Sequence, residues 1–184
     1  MRNFILGMVV TVLVMLIVGL GFALLGFMPT HANAEPPKLE RQIAMSALDA
    51  SMERHAPRGN NPVPPTNENL IAGIKIYVMN CAECHGGLDG KPAPVGRALY
   101  PPAPNLILDP PDDPEWHVFY AIRTGVRYTG MPAWDKALSE SDIWKLTALL
   151  TRMNKLPPAV QDYWKQSSGQ NPPTGEPEGH SEHK

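Results

Sequence analysis

Cysteine is scarce in this chain: two of 184 residues, Cys81 and Cys84. With no second pair, a four-ligand structural zinc site lacks half its donors. Basic charge is not in excess either. A formal net charge of -2 and a pI near 6.3 leave no footprint for nucleic acid. No segment repeats, so a motif that binds a group binds it once. No strand-rich pattern flanks the cysteines, and no dense ring of lysines surrounds them. Charge is missing entirely from Asn3 to Thr30. Proline, in contrast, is abundant. Of its 21 copies, 17 cluster at 57–65, 92–114 and 157–177, which predicts linkers and irregular loops there.

The uncharged stretch sets the compartment. Phe4 to Met28 is dominated by Ile, Leu, Val, Met and Phe. As a helix those residues reach roughly 37 Å at 1.5 Å per residue, more than the roughly 30 Å hydrocarbon core of a bilayer. Arg2 and the amino terminus precede the run, which favours keeping that end in the cytoplasm and exporting the rest. A rival reading exists. Ala32-Asn33-Ala34 fits the small-x-small pattern for signal-peptidase cleavage before Glu35. The run is longer than the apolar part of a secretory signal, so the expectation is an uncleaved transmembrane anchor over residues 1–34. Both readings put the cysteines outside the cytoplasm, on the periplasmic side of the cell membrane.

Beyond the anchor, residues 35–66 read as a juxtamembrane helix and a Pro-rich linker. Leu39, Ile43, Ala47 and Ala50 recur near helical spacing over 36–54. That helix either lies on the membrane surface, docks on the following domain, or serves as a solvated spacer. The folded domain is expected over 67–165. One helix starts at Asn67-Glu68 and leads Leu70, Ile74 and Tyr77 into the cysteine motif. A second starts at Asp113-Pro114, with Asp113 as cap, and stops at Gly125. A third opens at Ser139 with Asp142 in capping-box spacing and ends before Pro157-Pro158, with a last turn around Val160 and Trp164. His117, on the second helix, is expected at the surface. The stretch from Gly86 to Pro114 is expected as one long loop. Residues 166–184, poor in apolar side chains, are expected as a disordered tail.

Cys81-Ala82-Glu83-Cys84-His85 is the C-x-x-C-H pattern of covalent haem attachment. Two thiols two residues apart can form thioethers to the two vinyl groups of one porphyrin. The next residue, His85, then offers an imidazole nitrogen to the iron. A dithiol redox pair, half of a zinc site, or a short-loop disulfide remain as other readings of the same residues. For the opposite face of a haem, Thr129-Gly130-Met131-Pro132 offers the thioether of Met131 on a loop stiffened by Gly130 and Pro132. The 46 residues from His85 to Met131 are enough to pass round a porphyrin edge.

With these motifs, residues 67–165 resemble the class I, single-haem c-type cytochromes of bacteria, of the membrane-anchored kind. The resemblance rests on Cys81 to His85, on Gly130-Met131-Pro132-Ala133-Trp134, and on Ser141 to Trp144 at the start of the third helix. It implies an all-α fold: a small domain of three to five helices around one covalent haem c, preceded by one transmembrane helix. It implies that the Pro104 carbonyl accepts the second ring N–H of His85 and that Leu106 packs on the porphyrin. It makes Arg97, Tyr100 and Trp134 candidate partners of the haem propionates, and Gly73 and Tyr77 the crossing point with the third helix. An aromatic that the family often carries near Leu149 is absent. The implied function is one-electron transfer between respiratory-type redox proteins, with iron held by His85 and Met131 and no substrate chemistry. The alternative is a fixed electron-transfer subunit of a larger membrane dehydrogenase or oxidase.

Overall fold

The computed structural model describes residues 1–169. Among these there are eight α-helices and no strand. The chain divides into two compact units, at Ala32/Asn33.

The first unit is essentially α1 (Arg2–Leu24), 23 residues with none buried. It is long and apolar enough to cross a membrane. The helix stops at Leu24, four residues short of the apolar run's end at Met28.

The second unit begins with α2 (Lys38–His55). It continues with α3 (Asn67–Asn80), α4 (Ala82–His85), α5 (Pro94–Arg97), α6 (Glu115–Thr124), α7 (Glu140–Leu150) and α8 (Pro158–Ser168), with a 3-10 turn at Met153–Lys155. Four of these, α3, α6, α7 and α8, supply most of the core. Two begin on side-chain caps. The Thr66 hydroxyl accepts from the Asn69 N–H, and the Ser139 hydroxyl accepts from the Asp142 N–H. The Asp142 carboxylate in turn accepts from Lys145 and from the Ser139 hydroxyl, and these two bonds hold its carboxyl below the usual range.

The central contact is α3 on α7. Leu70, Ile74 and Tyr77 face Ile143, Leu146 and Leu149, all essentially inaccessible. Burial of such side chains stabilises by roughly 1.5–3 kcal/mol each. Gly73 makes the crossing possible: a Cβ there would lie 2.8 Å from the Lys145 carbonyl oxygen and 3.1 Å from the Leu149 Cβ. Helix α6 packs on α7 with the Phe119 ring stacked on Trp144, centroids 3.8 Å apart. That stack supplies aromatic surface to the α6–α7 contact.

Several elements differ from the sequence reading. Helix α8 is a full helix of eleven residues and not a last turn. Val160 and Trp164 are completely buried, and the Trp164 indole donates to the Leu88 carbonyl at 3.2 Å. It runs through Ser168, so the domain passes the expected boundary at Lys165; the rest of the expected tail, 170–184, lies outside the described residues. The long loop holds one helical turn, α5. Pro114, not Asp113, occupies the cap position of α6. The Asp113 carboxylate instead takes the His117 ring at 2.9 Å. His117 is correspondingly covered, with its side chain 14% exposed, and is not a surface residue. The linker is not free either: Asn61 donates to the Trp144 carbonyl at 3.1 Å and Val63 packs on the core. Helix α2 docks on α6 and buries Met52, with Ala56 just beyond it.

A candidate haem site

The site is assembled where α3 ends. Cys81 closes α3 and opens the single turn α4. The Cys84 and His85 N–H groups both donate to the Cys81 carbonyl, at 3.1 and 2.8 Å. Positions three and four apart on such a turn share one face, so both sulfurs and the imidazole start from the same side. Neither cysteine is in a disulfide. Burial, and then the neighbouring Cys84, push the Cys81 thiol up to about 12. Among the described residues no group of three or more His, Cys, Asp or Glu could hold a bare metal ion. The zinc reading of the motif therefore finds no further ligands there.

His85 is held from several directions. Its Nδ1 lies 2.9 Å from the Pro104 carbonyl oxygen. A carbonyl only accepts, so Nδ1 carries the proton and Nε2 keeps its lone pair. Burial lowers the His85 pKa, and the bond to Pro104 opposes that shift. The His85 carbonyl accepts from the Leu106 N–H at 3.1 Å and from the Tyr77 hydroxyl at 3.1 Å. The same hydroxyl reaches the Gly86 carbonyl at 2.8 Å, and burial raises its pKa strongly. Tyr77→Phe removes the hydroxyl donor of the buried Gly86 carbonyl, while the His85 carbonyl keeps the Leu106 N–H, so a loss of about 1–3 kcal/mol is expected. Denaturant unfolding of the loaded protein measures it.

Two features here were not legible in the sequence. Asn105 ties its loop together: its amide donates to the Gly90 carbonyl at 2.9 Å while its oxygen accepts from the Ile107 and Leu108 N–H groups. Gly96, on α5, packs directly on Cys84. A Cβ there would lie 1.8 Å from the Cys84 carbonyl oxygen, closer than any relaxed contact. Gly96→Ala therefore forces the backbone of the motif or of α5 to move. The expected cost is about 1–3 kcal/mol or more, read as a lowered melting temperature and a reduced yield of haem-loaded protein.

The Met131 loop is a compact turn. Gly125 closes α6 with φ of 66°. The Val126 N–H donates to the Met131 carbonyl at 3.2 Å, and the Thr129 hydroxyl links the Val126 carbonyl to the Met131 N–H. Met131 is half-buried against the core. Gly130 sits under Leu99, whose Cδ1 would be 2.6 Å from a Cβ at that position. Leu99 follows α5, so the Met131 loop lies beside the segment that packs on Cys84. Trp134 is half-buried, its backbone N–H donating to the Ile122 carbonyl at 3.3 Å. Leu106 packs partly on the core, and Arg97 is exposed at the end of α5. Tyr100 donates its hydroxyl to Glu40 on α2 at 2.7 Å, a contact between residues sixty positions apart. A groove of about 450 Å³ lies elsewhere, between the 59–65 segment, Trp116 and Arg152, and includes none of the motif residues.

Residues 68–150 match the family described as cytochrome C oxidase, cbb3-type, subunit III. The match spans both the Cys81 motif and the Met131 loop. The chain carries a c-type cytochrome domain. Membership of that class points to electron transfer through a covalently held haem. Cys81, Cys84 and His85 on one turn, with both thiols unpaired and the His85 Nε2 lone pair unspent, suit such a group. Among solved structures, a chain of the reducing HAO-like protein complex of Kuenenia stuttgartiensis is similar, with 25% identity and a TM-score of 0.42 over 51% of this chain. This chain spans about half of that one, 48% of its length. Comparison with curated proteins gives no match.

Proposed function

We propose that the chain is a membrane-anchored, single-haem c-type cytochrome that passes one electron at a time between redox proteins on the periplasmic side. Bound haem supplies a one-electron ferric/ferrous couple. Cys81 and Cys84 hold it by thioethers, so it cannot dissociate between encounters. His85 gives Nε2 to the iron, and the Pro104 carbonyl both aims the ring and raises its basicity. Met131 would offer the iron a neutral sulfur, which would favour the reduced state and raise the potential. Arg97 and Trp134 are proposed near the propionates. Tyr100, whose hydroxyl Glu40 engages, is the weaker candidate of the three. Helix α1 anchors the chain, which confines it to encounters at the membrane and raises its effective concentration there.

One observation carries this reading: the two unpaired cysteines and an imidazole oriented by Pro104 on a single helical turn. The optical spectrum of the purified chain tests it. A methionine-to-iron charge-transfer band in the ferric state, and no binding of carbon monoxide to the ferrous state, is the expected result. Ready carbon monoxide binding contradicts the closed iron.

The matched family's description, a subunit of a cytochrome oxidase, favours a second reading in which this chain is a fixed subunit of a membrane complex. Purification in mild detergent separates the two. A stoichiometric assembly supports the subunit, and a lone chain supports the shuttle.

A further inference from the structure

Residues 96–100 touch both halves of the site. Gly96 lies against the Cys84 carbonyl, and Leu99 lies against Gly130, the residue before Met131. The segment is folded on itself: the Ala98 and Ala103 N–H groups donate to the Val95 and Gly96 carbonyls, at 3.0 and 2.9 Å. Tyr100 follows Leu99 directly, and its hydroxyl donates to the Glu40 carboxylate on α2 at 2.7 Å. Two neighbours in the chain thus engage two different elements, Leu99 the Met131 loop and Tyr100 helix α2.

Helix α2 stands on the domain at two places. Its C-terminal end buries Met52 and Ala56, with Leu48 half-buried. Residues 41–47 are all exposed. Glu40 then makes a second foothold, roughly 18 Å from Met52 along the helix at 1.5 Å per residue. That foothold is not carried along by a packed face. It is one directed bond to an ionised acceptor, which is stronger than a bond between neutral groups. The bonds that shape the Met131 loop, from Val126 and through the Thr129 hydroxyl, are internal to it. Leu99 is the side chain that reaches this loop from the segment packed on Cys84.

We propose that Glu40 and Tyr100 are positioning residues for the sixth ligand: their bond braces Leu99 against Gly130 and so keeps Met131 on the iron. This rests on Met131 being that ligand. A helix that precedes the cytochrome domain would then help to decide how firmly its iron is closed.

Imidazole titration of the ferric, haem-loaded full chain tests it, followed by the methionine-to-iron band. Imidazole takes only iron that Met131 has left, so its apparent affinity reports how often the loop opens. Tyr100→Phe keeps the ring and removes the hydroxyl. Glu40→Ala removes the acceptor and leaves Tyr100 whole. Each is expected to tighten imidazole binding about three- to tenfold, the span of one ordinary hydrogen bond. The double variant is expected to go no further than either single one, because both remove the same bond. Thr66→Ala removes the cap of α3, and is expected to lower the melting temperature with imidazole affinity unchanged. Unchanged affinity in Tyr100→Phe or in Glu40→Ala, additive effects in the double variant, or an equal gain in Thr66→Ala each overturns the inference alone. Absence of the band from the wild-type chain overturns the Met131 ligation and the inference with it.

Discussion

Cys84→Ala is expected to leave almost no mature haem-loaded protein. Cys84 sits at the middle of the turn that also carries Cys81 and His85, and its carbonyl is the surface on which Gly96 packs. Losing its thiol would remove one of the two proposed thioethers and leave a haem held by Cys81 alone. The domain that surrounds the site is small, and its long segment from Gly86 to Pro114 holds only one helical turn, α5. A group that binds only the folded state stabilises that state, so loss of covalent capture lowers the folded fraction as well. The measurement is the haem-stained yield, together with the share of haem that acid–acetone extracts. A variant that accumulates to wild-type levels with its haem non-extractable would show that Cys84 is not an attachment point.

Met131→Ala is expected to open the iron and lower the midpoint potential. Axial ligands set haem potentials across roughly 0.8 V, so the expected fall is on the order of a hundred millivolts. The loop that holds Met131 is built from its backbone: the Val126 and Thr129 contacts use the Met131 carbonyl and N–H, and neither is removed by the substitution. The fold is thus expected to survive, and the effect to be confined to the iron. Loss of the charge-transfer band and gain of carbon monoxide binding are the accompanying signatures. An unchanged spectrum and potential would mean that another side chain, or none, faces the iron.

Much of this architecture was legible in the residues. The 3.6-residue spacing of Leu70, Ile74 and Tyr77 marked α3, and Ser139 with Asp142 marked the start of α7 to the residue. These signals are local, and local chemistry suffices for them. Pro157-Pro158 misled because proline ends helices in their interior yet suits their first position, where its missing N–H costs nothing. Pro158 starts α8, and Val160 with Trp164, four apart, were already its buried stripe. Asp113 misled in a related way. Its carboxylate had two possible uses, the backbone of α6 or the ring of His117, and only the fold decides between them.

The site divides along the same line. Cys81, Cys84, His85 and Met131 stand out because their chemistry is particular and their spacing is tight. Gly96, Asn105 and the hydroxyl of Tyr77 act through contacts that no spacing reveals: a carbonyl 1.8 Å from a missing Cβ, a loop amide and two backbone oxygens. The Tyr100–Glu40 bond spans sixty residues and depends on α2 docking, so it engages a hydroxyl that the family resemblance offers to a propionate.

The central claim is that one porphyrin is covalently joined to this polypeptide through both cysteines. The intact mass of the full chain, made in cells that carry the attachment machinery, tests it most directly. The account predicts the polypeptide plus the weight of one haem, unchanged by denaturation. A mass equal to the bare polypeptide would contradict it.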